Sequence, residues 1–311
     1  MTKPALSAIV PVTERPYDVE SLYWAYKAGI EAVGMAYEFI YVLDGDFPEA
    51  LSALQGLRQK GEPIKIIALA KWFGEAAALT IGFAEAAGDI FVTLPAYPQI
   101  VPDEISRLVA GLKDYDMVIA RRFPRRDSIL NVIQSKVFHF LLNTMIAVPF
   151  HDLGCSVRAL KRRVAEELNI YGDQHRFLPL LAAQQGFKVL ELDAAQAKED
   201  TFKRVYSPGV YIRRMLDILT IAFIVKFTRK PLRFFGLIGS FTLALGTLGA
   251  VYLAIERLYF GGALADRPAL VLAVLMMVLG FQTIAVGLIG ELIIFTHTKD
   301  VKEYRVERIV E

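Results

Sequence analysis

Residues 38–46 read Glu-Phe-Ile-Tyr-Val-Leu-Asp-Gly-Asp, an apolar run of aromatic and β-branched residues that stops at Asp-Gly. Such a run is a buried strand that ends in a turn. Ser7-Ala-Ile-Val-Pro-Val12 reads as a strand before it, with a helix over Val19–Val33 between the two. The alternation continues downstream. It predicts a helix over Pro48–Lys60, a strand over Ile64–Ala68, an Ala-rich helix over Gly74–Ala87 and a strand over Asp89–Leu94. A helix over Pro102–Leu112 and a strand over Met117–Ala120 complete it. Strands alternating with helices predict an α/β fold, a mostly parallel sheet flanked by helices. Ligands of such sheets sit beyond the carboxyl ends of the strands. The residues there are Thr13-Glu14-Arg15, Asp44-Gly45-Asp46, Ala70-Lys71-Trp72, Pro95-Ala96-Tyr97 and Arg121-Arg122.

Composition narrows the function. Of 311 residues, 54% are hydrophobic and 22% charged, so there is ample apolar material to offset chain entropy and the chain is not disordered. One cysteine, Cys155, excludes a disulfide framework. A net charge of +2 carries no footprint of a nucleic-acid binder. The apolar excess lies near the C-terminus. Phe234–Ile255 and Pro268–Gly290 are free of charged residues for 22 and 23 positions, long enough to cross a hydrocarbon core of about 30 Å. The polar link Glu256–Arg267 is too short to be a domain. Lys226, Arg229, Lys230 and Arg233 precede the first span, and Lys299, Lys302, Arg305 and Arg308 follow the second. That bias predicts an integral membrane protein with both termini cytoplasmic, and the N-terminus has no signal-peptide pattern. Gly236, Gly239, Gly246 and Gly249 in one span and Gly280, Gly287 and Gly290 in the other allow close helix approach. Tyr206–Phe227 mixes apolar residues with Arg213, Arg214 and Lys226, and reads as an amphipathic interfacial helix. The predicted organisation is a cytoplasmic domain over 1–200, juxtamembrane helices over 201–232, a two-span hairpin over 233–296 and a cytoplasmic tail over 297–311.

No phosphate-binding glycine loop, HExxH or paired cysteine occurs, and His139, His151, His175 and His297 lack metal-ligand spacing. The order of motifs carries more. Ile9-Val-Pro-Val-Thr-Glu14, Tyr41-Val-Leu-Asp-Gly-Asp46, Phe73-Gly-Glu-Ala-Ala-Ala78 with Gly82 and Ala87-Gly-Asp89, Asp152-Leu-Gly-Cys-Ser-Val-Arg158 and Gly287-Leu-Ile-Gly-Glu291 stand in that sequence over nearly the whole chain. In this the chain resembles the family 2 glycosyltransferases of GT-A fold. The resemblance is to the polyprenyl-phosphate (dolichyl- or undecaprenyl-phosphate) sugar transferases that end in two membrane helices. It implies a nucleotide-sugar donor, a polyprenyl-phosphate acceptor, a membrane partner and no nucleic acid, with a homo-oligomer open. It also implies a divalent cation, Mg²⁺ or Mn²⁺, held by an Asp-x-Asp after the fourth strand. There the family reads Asp-Ala-Asp-Leu-Gln and this chain reads Pro95-Ala-Tyr-Pro-Gln99. A tyrosine phenol, with a pKa near 10, does not replace a carboxylate as a magnesium ligand.

Three readings follow. Lys71, Arg121 or Arg122 stabilises the diphosphate without metal; or Asp44, Asp46 and Asp103 recruit one; or the domain is an altered or inactive transferase serving as a membrane scaffold or partner subunit. The resemblance places Pro11, Glu14, Asp44, Asp46, Lys71, Ala96 and Tyr97 on the donor side. Asp152, Arg158 and Arg176 fall at the reacting groups, and Arg121, Arg122, Arg213 and Arg214 at the acceptor phosphate or lipid. No residue is assigned to metal. Asp152 and Arg158 equally suit an internal ion pair, and Arg121 and Arg122, with Arg125 and Arg126, a solvated basic surface. Cys155 reads as a packing residue. For Trp72 and Tyr97, core or lid packing is the default beside stacking on a base or sugar.

Overall fold

The computed structural model describes residues 3–13, 17–124, 150–168, 170, 172–200, 231–261 and 268–297. The chain divides into two compact units, Met1–Ile218 and Leu219–Glu311. The predicted interfacial helix over 206–227 lies outside the described residues.

The first unit is built on a seven-stranded sheet: β1 Leu6–Val12, β2 Tyr37–Leu43, β3 Ile64–Ala68, β4 Ile90–Thr93, β5 Met117–Arg122, β6 Arg158–Lys161 and β7 Val189–Ala194. Its order is β3-β2-β1-β4-β6-β5-β7. All pairings are parallel except those of β6, which runs antiparallel between β4 and β5. The sheet is therefore mixed and mostly parallel. β1 is buried along all seven residues, as a central strand covered on both faces must be.

Period-two alternation sorts the side chains. Ala8, Val10, Val12, Phe39, Tyr41 and Leu43 share a core with α1 (Val19–Glu31), α2 (Pro48–Gln59) and α4 (Glu104–Gly111). The intervening Ile9 and Val42 meet α3 (Glu75–Glu85) at Gly82, and Phe83 of α3 stacks on Phe91 of β4 at 5.6 Å. Burial of each large side chain contributes about 1.5–3 kcal/mol. The Ala87-Gly88-Asp89 stretch is also explained. Glu38 Oε1 accepts from the Ser7 hydroxyl at 2.6 Å and from the Ala87 N–H at 2.7 Å, while Gly88 N–H donates to Ser7 Oγ at 2.9 Å. These bonds tie the entry of β4 to β1 and β2.

In the second unit two 30-residue helices, Pro231–Phe260 and Pro268–His297, contain apolar stretches of 29 and 26 residues. At 1.5 Å per residue each is long enough to span a bilayer. The first helix runs past Ile255, so Glu256 and Arg257 of the expected link are helical. Of the expected small-residue contacts, Gly239, Gly246 and Gly280 make the closest, and Gly287 and Gly290 approach Phe235, Leu232 and Pro231 of the other helix. A Cβ on Gly239 would fall 2.7 Å from the Gly280 carbonyl oxygen, and one on Gly280 would fall 2.5 Å from Leu243 N. Only glycine permits that approach. Gly236 meets only Leu232 of its own helix, and Gly249 makes ordinary contact with Ala273. Glu291 Oε2 accepts the Leu232 N–H at 3.3 Å, so an acid at one helix end satisfies an open donor in the first turn of the other.

Candidate active site

The carboxyl ends of β1 to β4 and the start of β6 lie at one edge of the sheet. Three side-chain arrangements are built there.

The first is a clamped loop after β3. The Asp44 carboxylate is fully buried and accepts the Phe73 and Gly74 N–H groups, both at 2.7 Å. Leu69 N–H donates to the Leu43 carbonyl at 2.9 Å. Gly74 adopts a φ of +99°, a conformation that L side chains rarely take, and from it the chain enters α3. The loop presents Trp72, 61% exposed, and Phe73, 52% exposed, with Lys71 Nζ 5.3 Å from the Phe73 ring centre. Trp72 is thus not a core residue, which corrects the core half of the expectation of core or lid packing. The hydrogen bonds from Phe73 and Gly74 to Asp44 hold the loop at the sheet edge, where the Trp72 side chain meets water.

The second is the segment after β4. The Tyr26 hydroxyl donates to the carbonyls of Pro95 at 2.9 Å and Tyr97 at 3.1 Å, and Tyr17 N–H donates to that of Ala96 at 3.1 Å. Gln99, 1% exposed, donates through Nε2 to the Tyr97 hydroxyl at 2.7 Å. Its Oε1 accepts from Ser156 N–H at 2.8 Å and from the Cys155 thiol at 3.5 Å. The three carbonyls of residues 95–97 are committed within the protein, and Gln99 fastens this segment to the chain entering β6.

The third arrangement is a set of buried charges. Arg122 makes a two-pronged ion pair with Asp152, Nε to Oδ2 at 2.8 Å and Nη2 to Oδ1 at 3.0 Å, and a further bond from Nη1 to Asp200 at 3.1 Å. Burial opposes its charge, but Asp152 and Asp200 outweigh burial and hold its pKa well above the ordinary value. Glu191 accepts the backbone N–H groups of His151 and Asp152 at 2.8 and 2.9 Å, fixing the same segment from β7. Arg158 is 2% exposed; its Nη1 donates to the His175 carbonyl at 2.7 Å, while its Nε has no hydrogen-bond partner among the described residues. Burial pushes its pKa down, and the nearby Glu75 counters this in part. Glu75 itself pairs with His175 Nε2 at 3.2 Å.

Of the other expected site residues, Pro11 lies inside β1 opposite Val42, and Ala96 is buried. Asp46, Lys71 and Arg176 are exposed and Tyr97 is half-buried. Arg121 pairs loosely with Asp193 at 3.6 Å. Glu14, Arg213 and Arg214 lie outside the described residues. The fold thus brings Asp152 and Arg122 into contact, and places Arg158 one strand from β4 opposite Thr93. Tyr26, Glu75, Gln99, Glu191 and Asp200 escaped sequence reading. Gln99, two residues beyond Tyr97, and Glu75, within Phe73-Gly-Glu-Ala-Ala-Ala78, lay in motifs that could have pointed to them. Among the described residues, no group of three or more His, Cys, Asp and Glu side chains is placed to hold a metal ion.

Cys155 is 2% exposed and its thiol is pushed up to about 12 by burial. Only about one in ten thousand such thiols is ionised at pH 8. A disulfide reagent at pH 8 is therefore expected to leave the native protein unlabelled and to modify one thiol after denaturation. Rapid native labelling would contradict this burial.

The glycosyl transferase family 2 profile matches residues 7–168. An undecaprenyl-phosphate 4-deoxy-4-formamido-L-arabinose transferase of Photorhabdus laumondii is 31% identical over 98% of this chain and 94% of its own length. The transferase of the same name from Pseudomonas paraeruginosa is 30% identical over 98% of this chain and 90% of its own length. The chain is a family 2 glycosyltransferase. Among solved structures, glucosyl-3-phosphoglycerate synthase of Mycobacterium tuberculosis, in complex with Mn²⁺ and UDP-glucose, superposes with a TM-score of 0.51. It shares 14% identity, with 70% of this chain and 79% of that one covered, which supports the shared fold.

Proposed function

We propose that this glycosyltransferase moves a sugar from a nucleotide-diphospho-sugar to a polyprenyl phosphate at the cytoplasmic face of the membrane. One observation carries the reading: similarity to undecaprenyl-phosphate sugar transferases extends over 98% of the chain, through both apolar helices. The domain boundaries at 200, 232 and 296 and the cytoplasmic position of both termini belong to the same proposal, supported by the basic residues flanking the spans.

In the reaction an oxygen of the acceptor phosphate attacks the anomeric carbon, the bond from that carbon to the diphosphate breaks, and the diphosphate leaves with the electron pair. The acceptor is already anionic, so orienting cations matter more than a strong base. We assign Arg158 to face the phosphates, because it is a buried cation with unspent hydrogen-bonding capacity. Asp152 and Arg122 then act as positioning residues, holding the segment that delivers Arg158. Arg176, Arg121, Arg213 and Arg214 supply further positive charge toward the acceptor. Lys71, Asp46, Pro11, Glu14 and the 95–97 segment line the donor side, and Asp44 acts through the loop it clamps.

Pro95-Ala96-Tyr97 occupies, in this reading, the place of the family's Asp-x-Asp. The segment does not fit a divalent cation: it offers no carboxylate, and its carbonyls already accept hydrogen bonds. No step is routed through a metal. The test uses the full chain in nanodiscs with undecaprenyl phosphate and a panel of UDP- and GDP-sugars. Sugar extractable into organic solvent is expected, at a rate that EDTA changes by less than about twofold. No lipid-linked sugar with any donor, with or without Mn²⁺, would overturn the function. Product formed only with Mn²⁺ would overturn the metal-independent site.

A further inference from the structure

The exposed Trp72 is not explained by packing. A tryptophan 61% exposed beside a phenylalanine 52% exposed presents apolar surface to water. The loop bearing them is nonetheless held in place: the fully buried Asp44 carboxylate takes the N–H groups of Phe73 and Gly74, and Leu69 is bonded to Leu43. Trp72 makes no stacking contact among the described residues. The loop sits at the carboxyl edge of β3, where open α/β sheets take their ligands. Lys71 puts a cation beside the Phe73 ring, next in sequence to Trp72, suited to a ligand that joins an aromatic plane to phosphates.

We infer that Trp72 is the stacking platform for the base of the nucleotide donor, and that it sets how tightly the donor is held. The inference rests on the donor proposed above and adds the residue that reads its base. A base stacked on an aromatic ring contributes affinity that needs no metal.

The chain has two tryptophans, Trp24 and Trp72, so Trp24→Phe leaves Trp72 as the sole indole fluorophore. The experiment titrates UDP and GDP into full-length Trp24→Phe protein in nanodiscs, following tryptophan emission and, in parallel, heat. Saturable quenching of Trp72 is expected, with a midpoint matching the calorimetric Kd. Trp72→Ala in the wild-type background is expected to raise that Kd roughly tenfold, and Trp72→Phe to raise it less than about threefold. Heat without quenching, or an unchanged Kd in Trp72→Ala, overturns the stacking while leaving the donor reading intact. No heat with either nucleotide overturns both. Quenching by brominated lipids in place of nucleotide would assign the ring to the membrane surface and overturn the inference.

Discussion

Replacing Arg122 with methionine is expected to lower unfolding stability by about 3–5 kcal/mol, which for a unit of this size shifts the midpoint by roughly 6–20 °C. The guanidinium is the shared counter-ion of Asp152 and Asp200, and all three groups are buried. Its removal takes from two buried carboxylates the guanidinium that both face. The cost of burying them without that cation, rather than the intrinsic value of an ion pair, makes the loss large. Arg122→Lys keeps the charge but cannot reproduce the two-pronged bond to Asp152, so an intermediate loss is expected. The double variant Arg122→Met, Asp152→Leu removes the pair together and is expected to recover part of the stability, while Asp200 still lacks the Arg122 guanidinium. Thermal unfolding of the full chain in detergent measures all three. A loss below about 1 kcal/mol in Arg122→Met would mean that the site takes up water or collapses around the acids, and that the arginine is free for another task.

The same residue shows what the sequence carried and what it did not. Strands β1 to β5 and the helices between them were legible, because each is a run of five or so apolar residues with a turn signal after it. Asp44-Gly45 marks the end of β2, and Pro48 stands at the first helical position of α2. β6 was not legible. Arg-Ala-Leu-Lys has neither alternation nor an apolar run, and it forms a strand only because β4 and β5 on either side supply its hydrogen bonds. The charged residues were visible as residue types, but their partners were not. Arg122 stands 30 positions from Asp152 and 78 from Asp200, separations over which no local pattern signals contact. Asp44 read as a turn acid with a ligand role, while the structure shows a buried clamp for a loop 29 residues further on. Trp72 read as a packing residue because large aromatics usually are. The loop that carries it is held by Asp44, and no feature near residue 72 announces those bonds.

Arg158→Met separates function from folding in the opposite sense. With Arg158 facing the phosphates, transfer is expected to fall about 10²–10³-fold, the usual consequence of removing a preorganised donor from developing negative charge. Stability is expected to change little. The guanidinium is 2% exposed, and its Nη1 donates to a carbonyl, that of His175, rather than to a carboxylate. Its loss takes a charged donor from that carbonyl, a cost of about 1–3 kcal/mol. Against this, a cation that burial already disfavours no longer has to be desolvated, a gain of several kcal/mol offset in part by lost attraction to Glu75. The two contributions oppose each other, so the midpoint is expected to stay within about 4 °C of wild type. Arg158→Lys keeps a charge on a shorter reach and is expected to retain intermediate transfer. Rates with the lipid acceptor and unfolding midpoints, measured on the same full-length preparations, decide the matter. Undiminished transfer in Arg158→Met would remove Arg158 from the reacting groups. A midpoint lowered by 10 °C or more, with transfer lost in proportion to the folded fraction, would make it a structural cation like Arg122. Arg158 gives its Nη1 hydrogen to a carbonyl, so a phosphate arriving with the substrate is the counter-ion that makes so buried a cation worth retaining.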